Sequence, residues 1–261
     1  MVTKLEHEKP QIICISSGKG GVGKTSITVN AAVALSQTGK RVLVVDGDLG
    51  LANVDIVLGI SVKHTLRETV EEGAPLDGIL VEILPGFFVL PASSGVPEMA
   101  NLSVEEQAFL TNALEEIIDD FDYVLVDCAA GIGESVLWFN RWSSHSVVIL
   151  APDPTSMTDA YALIKVMASQ FGRREFSIVV NNVKTRKEGF EVFNSMATVL
   201  KNFLRLEPEL LGILPTDPAV VRAIRAQRPF LLTTPDAKAS KAMRVLAEQL
   251  TTRFATQDLS Y

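Results

Sequence analysis

Short, uninterrupted apolar runs recur along the chain at 12–15, 42–45, 87–90, 123–126, 147–150, 177–180 and 210–214. Each reads as a strand covered on both faces, because a strand with one wet face would alternate apolar and polar residues. Segments of helical spacing separate most of these runs; after the first, Ile27, Ala31 and Leu35 fall four apart. Strands that alternate with helices imply crossover connections and a parallel arrangement. The pattern predicts an α/β fold, a single domain with a mainly parallel sheet of about seven or eight strands and helices on both faces. Helix boundaries are legible too. Thr65 with Glu68 and Ser103 with Glu106 have capping-box spacing, and Gly172 and Gly189 stand where helices could end or begin. No internal repeat, low-complexity tract or linker interrupts the series, so residues 11–261 are expected to form one domain after a short polar segment, residues 1–10. Between residues 60 and 97 the pattern is least regular.

Composition narrows the class. At 261 residues and 47% hydrophobic content the chain can bury one large core. It lacks a run of eighteen apolar residues, and its first residues are too polar for a secretory signal, which leads to the expectation of a cytoplasmic protein. Two cysteines, Cys14 and Cys128, are too few for a disulfide framework or a four-ligand metal site. Both read as small apolar residues, with a free thiol at Cys128 as the other reading. A net charge of −7 disfavours broad attraction to nucleic acid or anionic lipid, so any such contact would be local.

The chemistry concentrates where the first strand meets the first helix. Residues 18–25 read Gly-Lys-Gly-Gly-Val-Gly-Lys-Thr, which satisfies the phosphate-loop pattern G-x-x-x-x-G-K-[ST] in the strand–loop–helix setting it requires. Gly18, Lys19, Gly20, Gly21, Val22, Gly23, Lys24, Thr25 and Ser26 are therefore the expected nucleotide-binding segment. The glycines let backbone amides approach phosphate oxygens, Lys24 is expected at the β and γ phosphates, and the Thr25 hydroxyl at Mg²⁺. Lys19 is a second cation in the loop and points to an ATPase that works as a pair. Two later strands end in carboxylates, at Asp46-Gly47-Asp48 and at Asp127. Ligands of open α/β sheets bind beyond the carboxyl ends of the strands, so these groups should converge with the loop. Asp127 is expected in the outer coordination of Mg²⁺, Asp48 at the attacking water and near the metal, and Asp46 supporting the metal site. Each could instead cap the helix that follows its strand.

With Lys19, the Asp46–Asp48 segment and Asp127 together, the chain resembles the deviant Walker A ATPases of the MinD and ParA superfamily over nearly its whole length. The stretch from Asp48 to Asp55, that from Pro152 to Lys165, Leu211 to Val220 and Gln227 to Phe230 resemble the FlhG (FleN) branch, regulators of flagellar number and placement. The resemblance implies ATP and Mg²⁺ as ligands and an ATP-dependent homodimer in which Lys19 of one subunit contacts phosphates in the other. A lysine supplied across the interface would make hydrolysis wait for assembly. It further implies catalytic roles for Lys19, Lys24 and Asp48, switch segments at 50–55 and 131–133, and adenine contacts from Asn181, Pro215 and Asp217. Asn181 and Asn182 are equally consistent with a turn after a strand.

The partners implied are an FlhF-like GTPase, a flagellar basal-body protein or a transcription regulator. Only residues 1–10 precede the first strand, where that branch often carries an activating extension, so direct stimulation of FlhF does not follow. Met243, Leu246, Leu250 and Phe254 form an apolar stripe that suits either a membrane-entering helix, giving transient residence at the inner membrane face, or a core helix. Arg222, Arg225 and Arg228 fall three apart on an expected helix and suit DNA phosphate, an acidic partner or plain solvation. The leading reading is a nucleotide-switched regulator of flagellar assembly. Alternatives are a ParA-type partition ATPase on DNA, though DNA binding is not expected of so acidic a chain, and a MinD-type positioning ATPase at the membrane. A relative of the nitrogenase iron protein would need a cluster-ligating cysteine pair, and Cys14 lies inside the first strand.

Overall fold

In a computed structural model of the protein, residues 9–254 are described. The strands are β1 (Gln11–Ser17), β2 (Val42–Gly47), β3 (Val81–Leu84), β4 (Phe87–Leu90), β5 (Tyr123–Ala130), β6 (His145–Leu150), β7 (Ser177–Val183) and β8 (Glu209–Pro215). They form one sheet in the order β3-β4-β2-β5-β1-β6-β7-β8. Every neighbouring pair is parallel except β3 with β4. The seven apolar runs of the sequence are seven of these strands. β3, the antiparallel edge, has no buried position and left no apolar run to read.

The helices are α1 (Lys24–Ser36), α2 (Val54–Leu58), α3 (Leu66–Glu72), α4 (Pro97–Ala100), α5 (Val104–Ile117), α6 (Glu134–Trp142), α7 (Pro154–Phe171), α8 (Arg186–Leu204), α9 (Pro218–Arg225), α10 (Phe230–Thr233) and α11 (Lys238–Arg253). Alternate residues of the central strands feed two cores. Ile13, Ile15, Val42, Val44 and Leu125 pack with α1, α2, α10 and α11 on one face, while Cys14, Leu43, Val45, Val124 and Val126 pack with α5, α6, α7 and α8 on the other. α1 is apolar nearly all round because the sheet lies beneath it and α11 beside it. Both expected capping boxes form, with Thr65 and Ser103 each exchanging bonds with the glutamate three residues on. Such caps contribute on the order of 1 kcal/mol each.

The structure decides three readings that the sequence left open. The stripe Met243, Leu246, Leu250 and Phe254 is buried against the core that contains α1, so it is not presented for membrane entry; residues 255–261 lie outside the described residues. Burying such side chains contributes about 1.5–3 kcal/mol each. Gly189 is inside α8 and bounds no helix; it is glycine because any side chain there would strike Ile213. α9 ends at Arg225 and Gln227 turns to a φ of 51°, which carries Arg228 off the helix, so the three arginines do not share one helical face. Cys14 and Cys128 meet in the interior with sulfurs 3.0 Å apart, and burial pushes the Cys128 thiol well up. The small, apolar reading fits them. No helix among the described residues is long and apolar enough to cross a membrane.

Candidate functional site

β2, β5 and β1 lie side by side, so the carboxyl ends carrying Asp46 and Asp48, Asp127 and the loop 18–23 arrive together. Two glycines of the loop are fixed by close approach. A side chain on Gly18 would overlap the backbone of α7 at Asp159 and Ala160, and one on Gly23 would strike the Asn181 amide. Gly23 takes a φ of 97°, a left-handed conformation glycine adopts without penalty, and accepts the first helical bond of α1 from the Ile27 amide at 3.0 Å. The start of α1 thereby turns its free amides toward the loop, a suitable seat for an anion.

Lys24 is drawn under the loop and buried, donating to the Ser17 hydroxyl at 3.0 Å, which in turn donates to the Lys19 carbonyl at 2.6 Å. Burial lowers its pKa, against the pull of Asp127 and Asp48. A desolvated ammonium that donates to a neutral hydroxyl is well placed to gain from a polyanion. Asp127 accepts from the Thr28 hydroxyl at 3.2 Å and from Thr25; burial pushes it up to about 6 against these bonds and Lys24. Thr25 therefore joins the buried carboxylate to the mouth of the loop.

Asp46 does something the sequence did not suggest. Its buried carboxylate accepts from the Asp48 amide at 3.1 Å, the Asn53 amide at 3.0 Å and the Val54 amide at 3.1 Å, holding the segment 48–54 as a closed turn over the end of β2. Burial, followed by the facing Asp127, outweighs those three donors and pushes Asp46 up to about 8. It organises the backbone that carries Asp48, a fold-holding role beside the expected support of the metal site. Asp48 itself is half-buried, raised by that burial, and accepts from the Leu51 amide at 3.2 Å. The segment is also tied outward. Gly50 accepts from the Gly95 amide and Ala52 from the Ser94 hydroxyl.

On the rim, Lys19 donates to Asp153 at 2.9 Å and to the Thr155 hydroxyl at 2.7 Å. Thr155 first, then Lys19, holds Asp153 down at about 2. The Asp153-Pro154 pair is a helix-start signal that could have placed these partners, since Asp153 caps α7 through the Ser156 amide at 2.9 Å. Beside the rim opens a cleft of about 310 Å³ lined by the loop, Asn181, Pro215, Asp217, Val221 and Ile224. All three expected base-contacting residues reach it, but two of their side chains are already engaged. Asn181 donates to the Val22 carbonyl at 2.8 Å, and Asp217 caps both α9 and α11 by accepting from the Ala219 and Ala239 amides at 2.9 and 3.1 Å. Asp217 is thus a structural clasp at the cleft, and the second helix it holds lies 22 residues away.

The residues present fit Mg²⁺ with a nucleotide. No group of three or more potential His, Cys, Asp or Glu ligands gathers among the described residues, and Mg²⁺ held with phosphates needs few protein oxygens and keeps waters. The Thr25 hydroxyl, with Asp127 behind it, is such a partial donor set.

The family model for ParA, described as NUBPL iron-transfer P-loop NTPase, matches residues 8–251. The chain is 39% identical over 240 residues to the antiactivator FleN of Pseudomonas aeruginosa, an overlap of 92% of this chain and 86% of that one. It is 32% identical over 247 residues to the flagellum site-determining protein YlxH of Helicobacter pylori, covering 94% and 83%. Among solved structures, the septum site-determining protein MinD of Pyrococcus horikoshii, complexed with Mg-ADP, superposes with a TM-score of 0.78 at 25% identity, covering 95% of this chain and all of that one.

Proposed function

The chain belongs to the ParA/MinD family of P-loop NTPases, and from that premise we propose that it is a dimerising switch that regulates the number or placement of flagella through partner proteins. It is an ATPase with ATP as substrate and Mg²⁺ as cofactor. The likeness to FleN and YlxH over more than nine-tenths of the chain supports the flagellar assignment.

The observation that carries the switch is the division of labour between the loop's two lysines. Lys24 is buried beneath the loop, while Lys19 stands on the rim with 41% of its side chain exposed. This difference in exposure supports a reading in which Lys24 serves the chain's own nucleotide and Lys19 that of a second copy. In this reading the amides of 20–25 and Lys24 hold the β and γ phosphates, the Thr25 hydroxyl holds Mg²⁺ with Asp127 orienting that hydroxyl, and Asp48 orients the attacking water. When bound, Mg²⁺ neutralises charge on the phosphate oxygens. Lys19 leaves Asp153 and reaches the phosphates of the facing copy, so hydrolysis waits for the pair. Pro215 and the Asn181 backbone border the base. The segments 50–55 and 131–133 change arrangement with the γ-phosphate and report it to partners such as an FlhF-like GTPase, a basal-body protein or a transcription regulator.

Light scattering of Asp48→Ala in Mg-ATP and in Mg-ADP tests the switch. Doubling of the mass in ATP alone is expected; a single-copy mass with ATP fully bound would overturn it. Flagella counted by electron microscopy in a strain deleted for the gene test the assignment, and an unchanged count would remove it. Steeply salt-dependent retention on DNA in ATP would instead identify a partition ATPase.

A further inference from the structure

Along the outer side of β8 runs a groove of about 520 Å³. β8 is the last strand of the sheet and, among the described residues, pairs with β7 alone, so the main-chain donors and acceptors of its other edge face outward. α8 covers one face of the strand and α11 the other. Both come close because residues 189 and 212 are glycine; a side chain at 189 would strike Ile213, and one at 212 would strike Leu246. The result is a narrow slot with an open strand edge at its floor.

Its walls present exposed apolar side chains, with the Arg186 guanidinium 5.5 Å from the centre of the Phe190 ring. Phe190 on α8 is 40% exposed and Val245 on α11 is 55% exposed, with Leu210 and Ile213 on the strand between them. From Leu210 to Leu214 the strand carries no charge and no proline, two of the devices that close off a free edge. A bulge against β7 at Leu211 restricts a guest to short pairing runs on either side, so the walls must supply the remaining affinity. The charged side chains lining the slot are Lys184 and Arg186, both cations, in a chain with a net charge of −7.

We propose that this slot binds an extended, acidic and apolar segment of a partner protein by strand addition to β8. The open edge calls for an extended backbone. Alternate side chains of the guest then fall toward Phe190 on one wall and Val245 on the other, and a carboxylate meets Lys184 and Arg186. Pro215 lines both the slot and the nucleotide cleft, so the guest ends against a wall of that cleft. The proposal does not depend on the flagellar assignment or on the role given to Lys19.

Selection of a random nonapeptide display library on the full chain tests it, with two variants as counter-targets. Val245→Glu closes a wall, and the double variant Lys184→Glu/Arg186→Glu reverses the charge. All three side chains are exposed, so both variants should keep the parent melting temperature. Enriched peptides are expected to alternate apolar residues with Asp or Glu, to bind the parent at least tenfold more tightly than either variant, and to slow hydrogen exchange at residues 210–214. No enrichment, equal binding to parent and variants, or enrichment of basic or helix-spaced peptides would overturn the proposal. So would nucleotide-independent dimerisation abolished by Val245→Glu, which would give the edge to a second copy of the chain.

Discussion

Lys19 and Asp153 are 134 residues apart in sequence and 2.9 Å apart in space, and the bond between them seats the rim lysine on its own chain. Both side chains are about two-fifths exposed, so the pair stabilises the fold little. Its importance lies in what Lys19 must leave in order to serve a facing copy. Lys19→Ala is expected to melt within a few degrees of the parent and to bind ATP, yet to lose at least a hundredfold in turnover. Parallel melting, nucleotide binding and phosphate-release assays check this, and intact turnover would remove the trans role.

Lys24→Ala is expected to separate stability from activity. The ammonium is buried with its hydrogen bond given to Ser17, and its pKa is lowered by that burial, so removing it should leave the nucleotide-free protein equally or more stable. Binding of Mg-ATP should fall beyond detection and hydrolysis with it. Calorimetric titration and melting of the same preparation decide the matter.

Asp46 gives the nucleotide-free protein a pH dependence whose sign follows from its raised pKa. From an ordinary 3.8 it rises to about 8, so the stability it contributes is complete below about pH 4 and is lost as the pH climbs through about 8. Asp127, at about 6, has finished its own contribution earlier, which leaves the interval from pH 6 to 8 mainly to Asp46. Melting temperatures should fall across that interval by the equivalent of at most about 1.4 kcal/mol per pH unit, and Asp46→Asn should flatten the slope. Because an amide has one accepting oxygen where the acid, ionised or protonated, has two, that variant should also loosen 48–54 and slow hydrolysis with little change in ATP affinity. A slope that persists in Asp46→Asn would contradict the assignment.

The buried stripe of α11 predicts a folding defect where a membrane helix would give a localisation defect. Met243→Ala or Leu246→Ala should each cost about 2–5 kcal/mol, read from denaturant midpoints. A variant that melts like the parent but no longer sediments with anionic liposomes would restore the membrane reading.

What could be read in the sequence and what could not divide along a physical line. The loop 18–25, the strand-end carboxylates and both capping boxes are local in sequence, and their chemistry is fixed by spacing. The engagements of Asp217 with Ala239, Asn181 with Val22 and Lys19 with Asp153 are contacts between distant segments, and no spacing encodes them. Asp46 was visible as a strand-end acid, but its role depends on how the next eight residues fold back on it. The stripe of α11 was equally visible, and only the position of α1 beside it decided which solvent it meets.

A methyl group cannot be accommodated at residue 18, where the phosphate loop abuts the peptide backbone of α7 at Asp159 and Ala160. Loop and helix are thereby in direct backbone contact, so a displacement of the loop toward α7 meets the helix itself. A guest that draws the loop toward α7 therefore presses on the backbone of that helix within its second turn.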